Sequence, residues 1–210
     1  MKILNLYAGI GGNRKLWTPN GNEHEITAVE LNPEIAAVYQ EFYPNDTVIV
    51  GDAHQYLLEH YKKFDFIWAS PPCPSHSQYR HNVGVLGKGF APVLPDMTLY
   101  SQIVFLQTYF AGKYIVENVK PYYKPLIEPT IFMQRHLFWS NFNITNREFT
   151  KANIRTKNKI SDFDGGEAIK KTAIKNKRQV LRNCVLPELG KHILDCAMGA
   201  EIKTEEQELF

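Results

Sequence analysis

The N-terminal residues M-K-I-L-N-L-Y-A-G-I-G-G-N-R (1–14) join an apolar run to a glycine-rich turn. The apolar run, residues 2–7, predicts a buried strand. The glycines at positions 9, 11 and 12 predict a turn in which the backbone comes close to a ligand, because glycine lacks a side chain. We therefore expect a sheet that begins at this strand and a binding site at its carboxyl end.

The same alternation of apolar runs and amphipathic stretches continues along the chain. Asn32 and Pro33 supply the cap and the first turn of a helix. Further strands are predicted at 25–31, 47–50, 64–69 and 114–119, and helices at 32–43, 54–62 and 96–110. Strands that alternate with helices in this way predict an α/β fold with a largely parallel sheet.

Length and composition fit a globular protein with a sizeable core. The 210 residues are 44% hydrophobic and 22% charged. No run of 18 apolar residues is present, and the N-terminal apolar run is too short for a signal peptide, so we expect no membrane span and no secretion. Three cysteines form an odd, sparse set that favours a reducing cytosol.

Positive charge is concentrated in one segment of the chain. The net charge is +2, but residues 141–178 hold ten Lys/Arg against four Asp/Glu, a local balance of +6 that leaves −4 for the remainder. Such a segment is typical of a polyanion contact site, and a solvated surface loop is the alternative.

Carboxylates follow the second and third predicted strands. In a parallel sheet, Glu30 and Asp52 would lie at the same edge as Gly9. A dinucleotide motif would need a third glycine at position 14, where the chain has Arg14. Glu30 suits ribose hydroxyls and Asp52 suits an adenine amino group. A ligand with ribose and adenine but no phosphate indicates S-adenosylmethionine.

The stretch S-P-P-C-P-S-H-S (70–77) places Cys73 among three prolines, directly after a predicted strand. The prolines stiffen the backbone and exclude a helix, as expected for a thiolate that must be aimed. Zinc binding would need a second pair of ligands, and a zinc deaminase would need H-x-E and P-C-x-x-C, so both are disfavoured. Amino-directed methyltransferases carry an aromatic residue at the position of Cys73.

A covalent role explains the cysteine better. Carbon 5 of a pyrimidine is a poor nucleophile until a thiolate adds at carbon 6 and converts the ring to an enamine. That addition needs an acid near ring nitrogen 3, and Glu117 in V-E-N-V (116–119) ends an apolar strand where a carboxyl pKa rises. A structural carboxylate remains the alternative for Glu117.

Six motifs in order resemble those of DNA cytosine-5 methyltransferases: L-Y-A-G-I-G-G (6–12), V-E-L-N (29–32), G-D-A-H (51–54), P-P-C-P-S-H-S (71–77), E-N-V (117–119) and R-N-C-V (182–185). The resemblance implies a Rossmann-like class I methyltransferase fold with S-adenosylmethionine as cofactor. It also implies that Cys73 is the nucleophile and Glu117 the acid at ring nitrogen 3. Cofactor contacts are implied at Tyr7, Gly9, Ile10, Gly11, Gly12, Glu30, Leu31, Asp52, Ala53, Pro72, Asn183 and Val185.

The same resemblance implies nucleic-acid contacts. Ser77 matches a serine that touches a phosphate, and residues 75–95 match a loop that closes over a flipped base. The family has R-x-R before an apolar strand, but this chain has Gln134-Arg135-His136. Either His136 donates to the carbonyl oxygen of the base, or Arg135 reaches in by a register shift, or that contact is weakened.

The chain has room for only a small recognition segment. We expect a catalytic and cofactor-binding domain at 1–140, a basic recognition segment at 141–178 and a C-terminal segment at 179–210 that returns to the catalytic domain. Further nucleic-acid contacts are expected in the basic segment at Lys157, Lys159, Lys170 and Lys171.

These inferences predict a cytoplasmic, monomeric enzyme without metal, from a bacterium or from a phage in its host. It would methylate carbon 5 of a cytosine flipped out of double-stranded DNA, as in restriction–modification. The alternatives are methylation of tRNA by the same chemistry and a catalytically silent homologue that only binds nucleic acid.

Overall fold

The structure is a computed structural model that describes residues 1–17, 24–149, 174 and 177–199. Within these residues a seven-stranded sheet has the order β3-β2-β1-β4-β5-β7-β6. Its strands are β1 (Lys2–Leu6), β2 (Glu25–Glu30), β3 (Thr47–Val50), β4 (Phe66–Ala69), β5 (Lys113–Val119), β6 (Ile131–Met133) and β7 (His136–Ser140). Strands β1 to β5 are parallel, β7 is antiparallel to β5, and β6 is antiparallel to β7.

The helices are α1 (Pro33–Phe42), α2 (Ala53–His60), α3 (Leu86–Lys88), α4 (Thr98–Tyr109), α5 (Lys177–Asn183) and α6 (Pro187–Met198). A 3-10 turn at Tyr61–Lys63 extends α2, and a π-helical turn at Arg80–Val85 precedes α3. The mostly parallel, Rossmann-like α/β arrangement predicted from the sequence is confirmed. In the described part of the chain no helix is long and apolar enough to cross a membrane.

The cap signals explain where the predicted elements begin and end. Asn32 accepts hydrogen bonds from the amides of Glu34 and Ile35, so α1 begins at the predicted place. The predicted helix at 54–62 begins one residue earlier, because Asp52 caps α2 through the amide of Gln55. The first strand ends at Leu6 and not at residue 7, since Tyr7 has φ +56° and leaves the strand conformation.

The core lies on both faces of the sheet, which explains why Ile3, Leu4 and Leu6 of β1 are all buried apolar residues. Leu4 and Leu6 pack on one face with α4, and Ile3 packs on the other with α6. Asn5 shares the face of Ile3 and is fully buried, where Asn13 Nδ2 donates to its Oδ1 at 2.9 Å. The β1 strand and the turn that follows it are therefore tied together by a polar pair.

The predicted segments after residue 140 are described only in part. Ile144, Val185 and Leu189 belong to the same apolar cluster as Ile3, so residues near 144 and the start of α6 pack against the sheet. Residues 150–173, with Lys157, Lys159, Lys170 and Lys171, lie outside the described residues. The boundaries at 140 and 178 stay predictions.

Candidate active site

The turn after β1 contains three residues in the left-handed region. Tyr7, Gly9 and Gly11 have φ values of +56°, +55° and +77°. A methyl group added at Gly9 would meet nothing within 4 Å, so the backbone there faces open space. At Gly11 it would strike the ring of Tyr43, and at Gly12 it would come within 2.8 Å of Cys184. The absent side chain of Gly9 leaves space that a ligand could fill. At Gly11 and Gly12 the space is already occupied by Tyr43 and Cys184.

Arg14 anchors this turn through a buried ion pair with Asp46. Its Nε and Nη2 donate to Asp46 Oδ2 and Oδ1 at 2.8 and 2.9 Å, and both side chains are almost fully buried. The Tyr39 hydroxyl also donates to Asp46, and the Tyr43 hydroxyl donates to the carbonyl of Gly11. A charged pair buried in this fork geometry fixes the turn relative to α1.

Two carboxylates follow the ends of neighbouring strands, as predicted. Glu30 ends β2, and its two oxygens accept hydrogen bonds from the amides of Gly9 and Asn32, both at 2.9 Å. Asp52 lies just beyond β3 and is exposed. Between them in the chain, the Leu31 side chain is 69% exposed, which offers an apolar surface at the same edge.

These residues fit an adenosine group with a cationic tail. Each carboxylate oxygen of Glu30 keeps a lone pair for a ribose hydroxyl, and Leu31 can cover one face of adenine. Gly9 gives the close approach. The other expected cofactor contacts divide by exposure: Pro72 and Asn183 are exposed, whereas Ile10, Ala53 and Val185 are buried.

Tyr7 packs on the face of the sheet that α4 covers. Its hydroxyl accepts a hydrogen bond from Gln102 in α4, and burial raises the pKa of Tyr7 to about 12. The phenol therefore stays neutral at any physiological pH and orients the aromatic ring at the end of β1.

Cys73 lies in a turn beyond the end of β4. The amides of His76 and Ser77 both donate to the Cys73 carbonyl, at 3.0 and 3.1 Å, and close the turn. The Asn118 side chain donates to the Pro71 carbonyl at 2.9 Å, which ties the turn to the end of β5. Burial, and then the charge of Glu117, raise the pKa of the half-buried Cys73 thiol.

Glu117 and His136 come together on adjacent strands. Glu117 Oε1 lies 3.4 Å from His136 Nε2, and both side chains are buried. Arg135 is exposed and donates to the carbonyl of Arg182 in α5. Of the two candidates that the sequence left open at this position, His136 therefore contacts Glu117.

His76 is a site residue that the sequence reasoning missed. It is fully buried, and its Nδ1 is 2.6 Å from the hydroxyl of Tyr123, which follows β5. Together with the bond from Asn118, this contact fixes the cysteine turn from a second side. The only signal was its place in P-C-P-S-H-S, since its partner lies 47 residues away.

The loop beyond the cysteine is much more exposed. The Ser77 hydroxyl accepts from the amide of Arg80 at 3.3 Å. Leu86 and Leu94 are 71% and 90% exposed, and the rings of His81 and Tyr122 stack at 4.4 Å. Among the described residues no group of three or more His, Cys, Asp or Glu side chains could hold a metal ion.

Comparisons with known proteins identify the family to which the sequence is similar. The family model for C-5 cytosine-specific DNA methylases matches residues 1–125. A tRNA (cytosine(38)-C(5))-methyltransferase of Spodoptera frugiperda is 37% identical over 75 residues, which are 34% of this chain and 23% of that protein. The matched segment thus spans about a quarter of the relative.

Two solved structures are similar to parts of the chain. DNMT2 of Spodoptera frugiperda is 26% identical with a TM-score of 0.39, over 57% of this chain and 35% of that one. A methyltransferase described as yhhF from Escherichia coli is 13% identical with a TM-score of 0.42, over 66% and 73% of the two chains.

Proposed function

The chain belongs to the C-5 cytosine-specific DNA methylase family, whose cofactor is S-adenosylmethionine, and we propose that it methylates carbon 5 of cytosine in DNA. One observation carries the proposal. Cys73 lies in a turn fixed by Asn118 and His76, close enough to Glu117 for the carboxylate charge to raise the pKa of the thiol. Cys73 follows β4, and Glu117 lies near the end of β5, which pairs with β4. A nucleophile and an acid at these two places would act on the same base.

Each residue has one task in this reaction. The Cys73 thiolate forms a bond to carbon 6 of the ring, and ring nitrogen 3 takes a proton from Glu117. S-adenosylmethionine supplies the methyl group that carbon 5 takes up. Carbon 5 then gives its proton to a water molecule, the bond from carbon 6 to Cys73 breaks, and nitrogen 3 returns its proton to Glu117.

The remaining site residues bind the two substrates. Gly9, Glu30, Leu31 and Asp52 would hold the adenosine part of the cofactor by backbone approach, hydrogen bonds and apolar contact. Ser77 and the exposed loop up to residue 97 would contact the nucleic acid, together with the basic segment at 141–178. The base is flipped out, because carbon 6 is not accessible to a thiolate inside a stacked duplex.

A second candidate substrate is tRNA. It is favoured by the Spodoptera frugiperda relative, which acts on a tRNA cytosine. Sequence-specific contacts to RNA usually involve unpaired bases stacked on aromatic rings, and the His81–Tyr122 pair provides such a surface next to the cysteine turn.

The test is incubation with labelled S-adenosylmethionine and either duplex DNA or tRNA, followed by mass spectrometry of the nucleosides. We expect 5-methyldeoxycytidine from DNA, and no product with Cys73→Ala. Methylcytidine from tRNA alone would select the second candidate. Absence of product from both, with cofactor bound, would support the silent homologue.

A further inference from the structure

The pairing of β5 and β7 places a histidine beside Glu117. Val119 lies opposite His136, and Glu117 lies opposite Phe138. Residues two apart on a strand point to the same face, so Glu117 and His136 are diagonal neighbours on one face of the sheet. Their side chains meet with 3.4 Å between Oε1 and Nε2.

Both side chains are shielded from water. They are 8% and 7% exposed, and the other ring nitrogen of His136, Nδ1, is buried without a hydrogen-bond partner in the described residues. A lone buried charge is costly, so a pair that holds one proton and has no net charge is favoured. The carboxyl of Glu117 is thus the polar group that lies beside the imidazole of His136, at Nε2.

The protonation of His136 depends on burial and on two charged neighbours. Burial lowers the pKa of His136 most strongly, the Glu117 carboxylate raises that pKa, and the Arg135 guanidinium lowers it. The Cys73 thiol is the other titratable group that interacts with Glu117. Burial and the Arg135 guanidinium therefore oppose an imidazolium at His136, whereas the adjacent Glu117 carboxylate favours one.

We propose that His136 is a positioning residue for Glu117, and that the two buried side chains share one proton across the 3.4 Å between Nε2 and Oε1. The inference rests on the proposed role of Glu117 as the acid. When Cys73 bonds to carbon 6, the Glu117 proton passes to ring nitrogen 3, and the carboxylate left behind faces His136. When Cys73 leaves, the proton returns and the pair ends the cycle as it began.

The first test needs no catalysis. In the protein labelled with ¹³C and ¹⁵N, the Glu117 carboxyl and the His136 ring should change their NMR shifts together at one pH. In Glu117→Gln the change in the His136 ring at that pH should be absent. An unchanged His136 titration in Glu117→Gln would overturn the proposal, whether or not the protein methylates cytosine.

The second test is the pH dependence of single-turnover methylation. The rate should fall on the alkaline side, where the pair loses its proton. His136→Arg places a permanent cation beside Glu117, which lowers the pKa of the acid, so the alkaline fall should move down by about 1–3 pH units.

A control variant is available in a second buried histidine. His192 lies on α6, where its Nε2 is 2.8 Å from the carbonyl of Thr145, and His192→Gln should keep the wild-type profile. If the pH–rate profiles of wild type and His136→Arg coincide, His136 does not affect the acid and the proposal is overturned.

Discussion

The turn at residues 8–14 and the loop at residues 78–97 both follow strands at the same edge of the sheet, yet the protein holds them very differently. In the turn, Ile10 is fully buried and Arg14 is locked to Asp46. In the loop, Phe90 and Leu94 are 52% and 90% exposed. The turn is thus fixed by buried contacts, while the loop presents apolar surface to solvent.

This difference matches the two ligands. A small cofactor can be held by a turn whose shape is fixed in advance, which lowers the cost of binding. A nucleic acid is large, and exposed apolar side chains next to a nucleophile mark a surface that a partner covers. We expect changes in the turn to affect stability, and changes in the loop to affect binding of nucleic acid.

The largest effect is expected between the two regions, at Glu117. Glu117→Gln cannot donate the proton, so single-turnover methylation should fall by about 10²–10⁴-fold. Cofactor affinity measured by calorimetry should stay at the wild-type value, because the contacts of Glu30 and Gly9 are unchanged. A rate within about tenfold of wild type would remove Glu117 from the role of acid.

The turn is tested by breaking its buried ion pair. Asp46→Ala leaves Arg14 charged and buried, which should lower the free energy of unfolding by about 3–5 kcal/mol in denaturant titrations. The control is Lys191→Ala, which breaks the partly exposed pair with Asp195 on α6 and should cost about 0.3–0.5 kcal/mol. Equal, small losses in both variants would show that the turn is not held by this pair.

A change in the loop should give the smallest effect, and it should alter nucleic-acid affinity and not the free energy of unfolding. Leu94→Ser should leave the free energy of unfolding within about 0.5 kcal/mol of wild type, because the side chain packs on little. It should weaken nucleic-acid binding by about 10- to 150-fold, since burying a leucine contributes about 1.5–3 kcal/mol. Leu58→Ser, on the exposed side of α2, is the matched control. If both variants bind equally well, the loop does not contact the nucleic acid.

The sequence predicted the fold because the fold depends on local signals. Alternating apolar runs gave the five parallel strands, and Asn32 marked the start of α1 through its own cap. The pairing of β7 with β5 was not predicted, since antiparallel strands at the edge of a mainly parallel sheet leave no distinct pattern in one sequence.

Long-range polar partners were also beyond the sequence. Arg14 was interpreted only as a missing glycine, whereas its partner Asp46 lies 32 residues away in the loop after α1. His76 and Tyr123 are likewise far apart in the chain. A single sequence shows which side chains are able to bond, but the fold decides which of them meet.

The central claim is that Cys73 attacks carbon 6, and 5-fluorocytosine in the DNA tests it most directly. Methyl transfer would proceed, but fluorine cannot leave as a proton does, so the bond from Cys73 to the ring would persist. Wild type with S-adenosylmethionine should give an adduct that survives denaturant and maps to Cys73 by peptide mass spectrometry, and Cys73→Ser should give none. An adduct at Cys184 or Cys196, or methylation that survives in Cys73→Ala, would contradict the account.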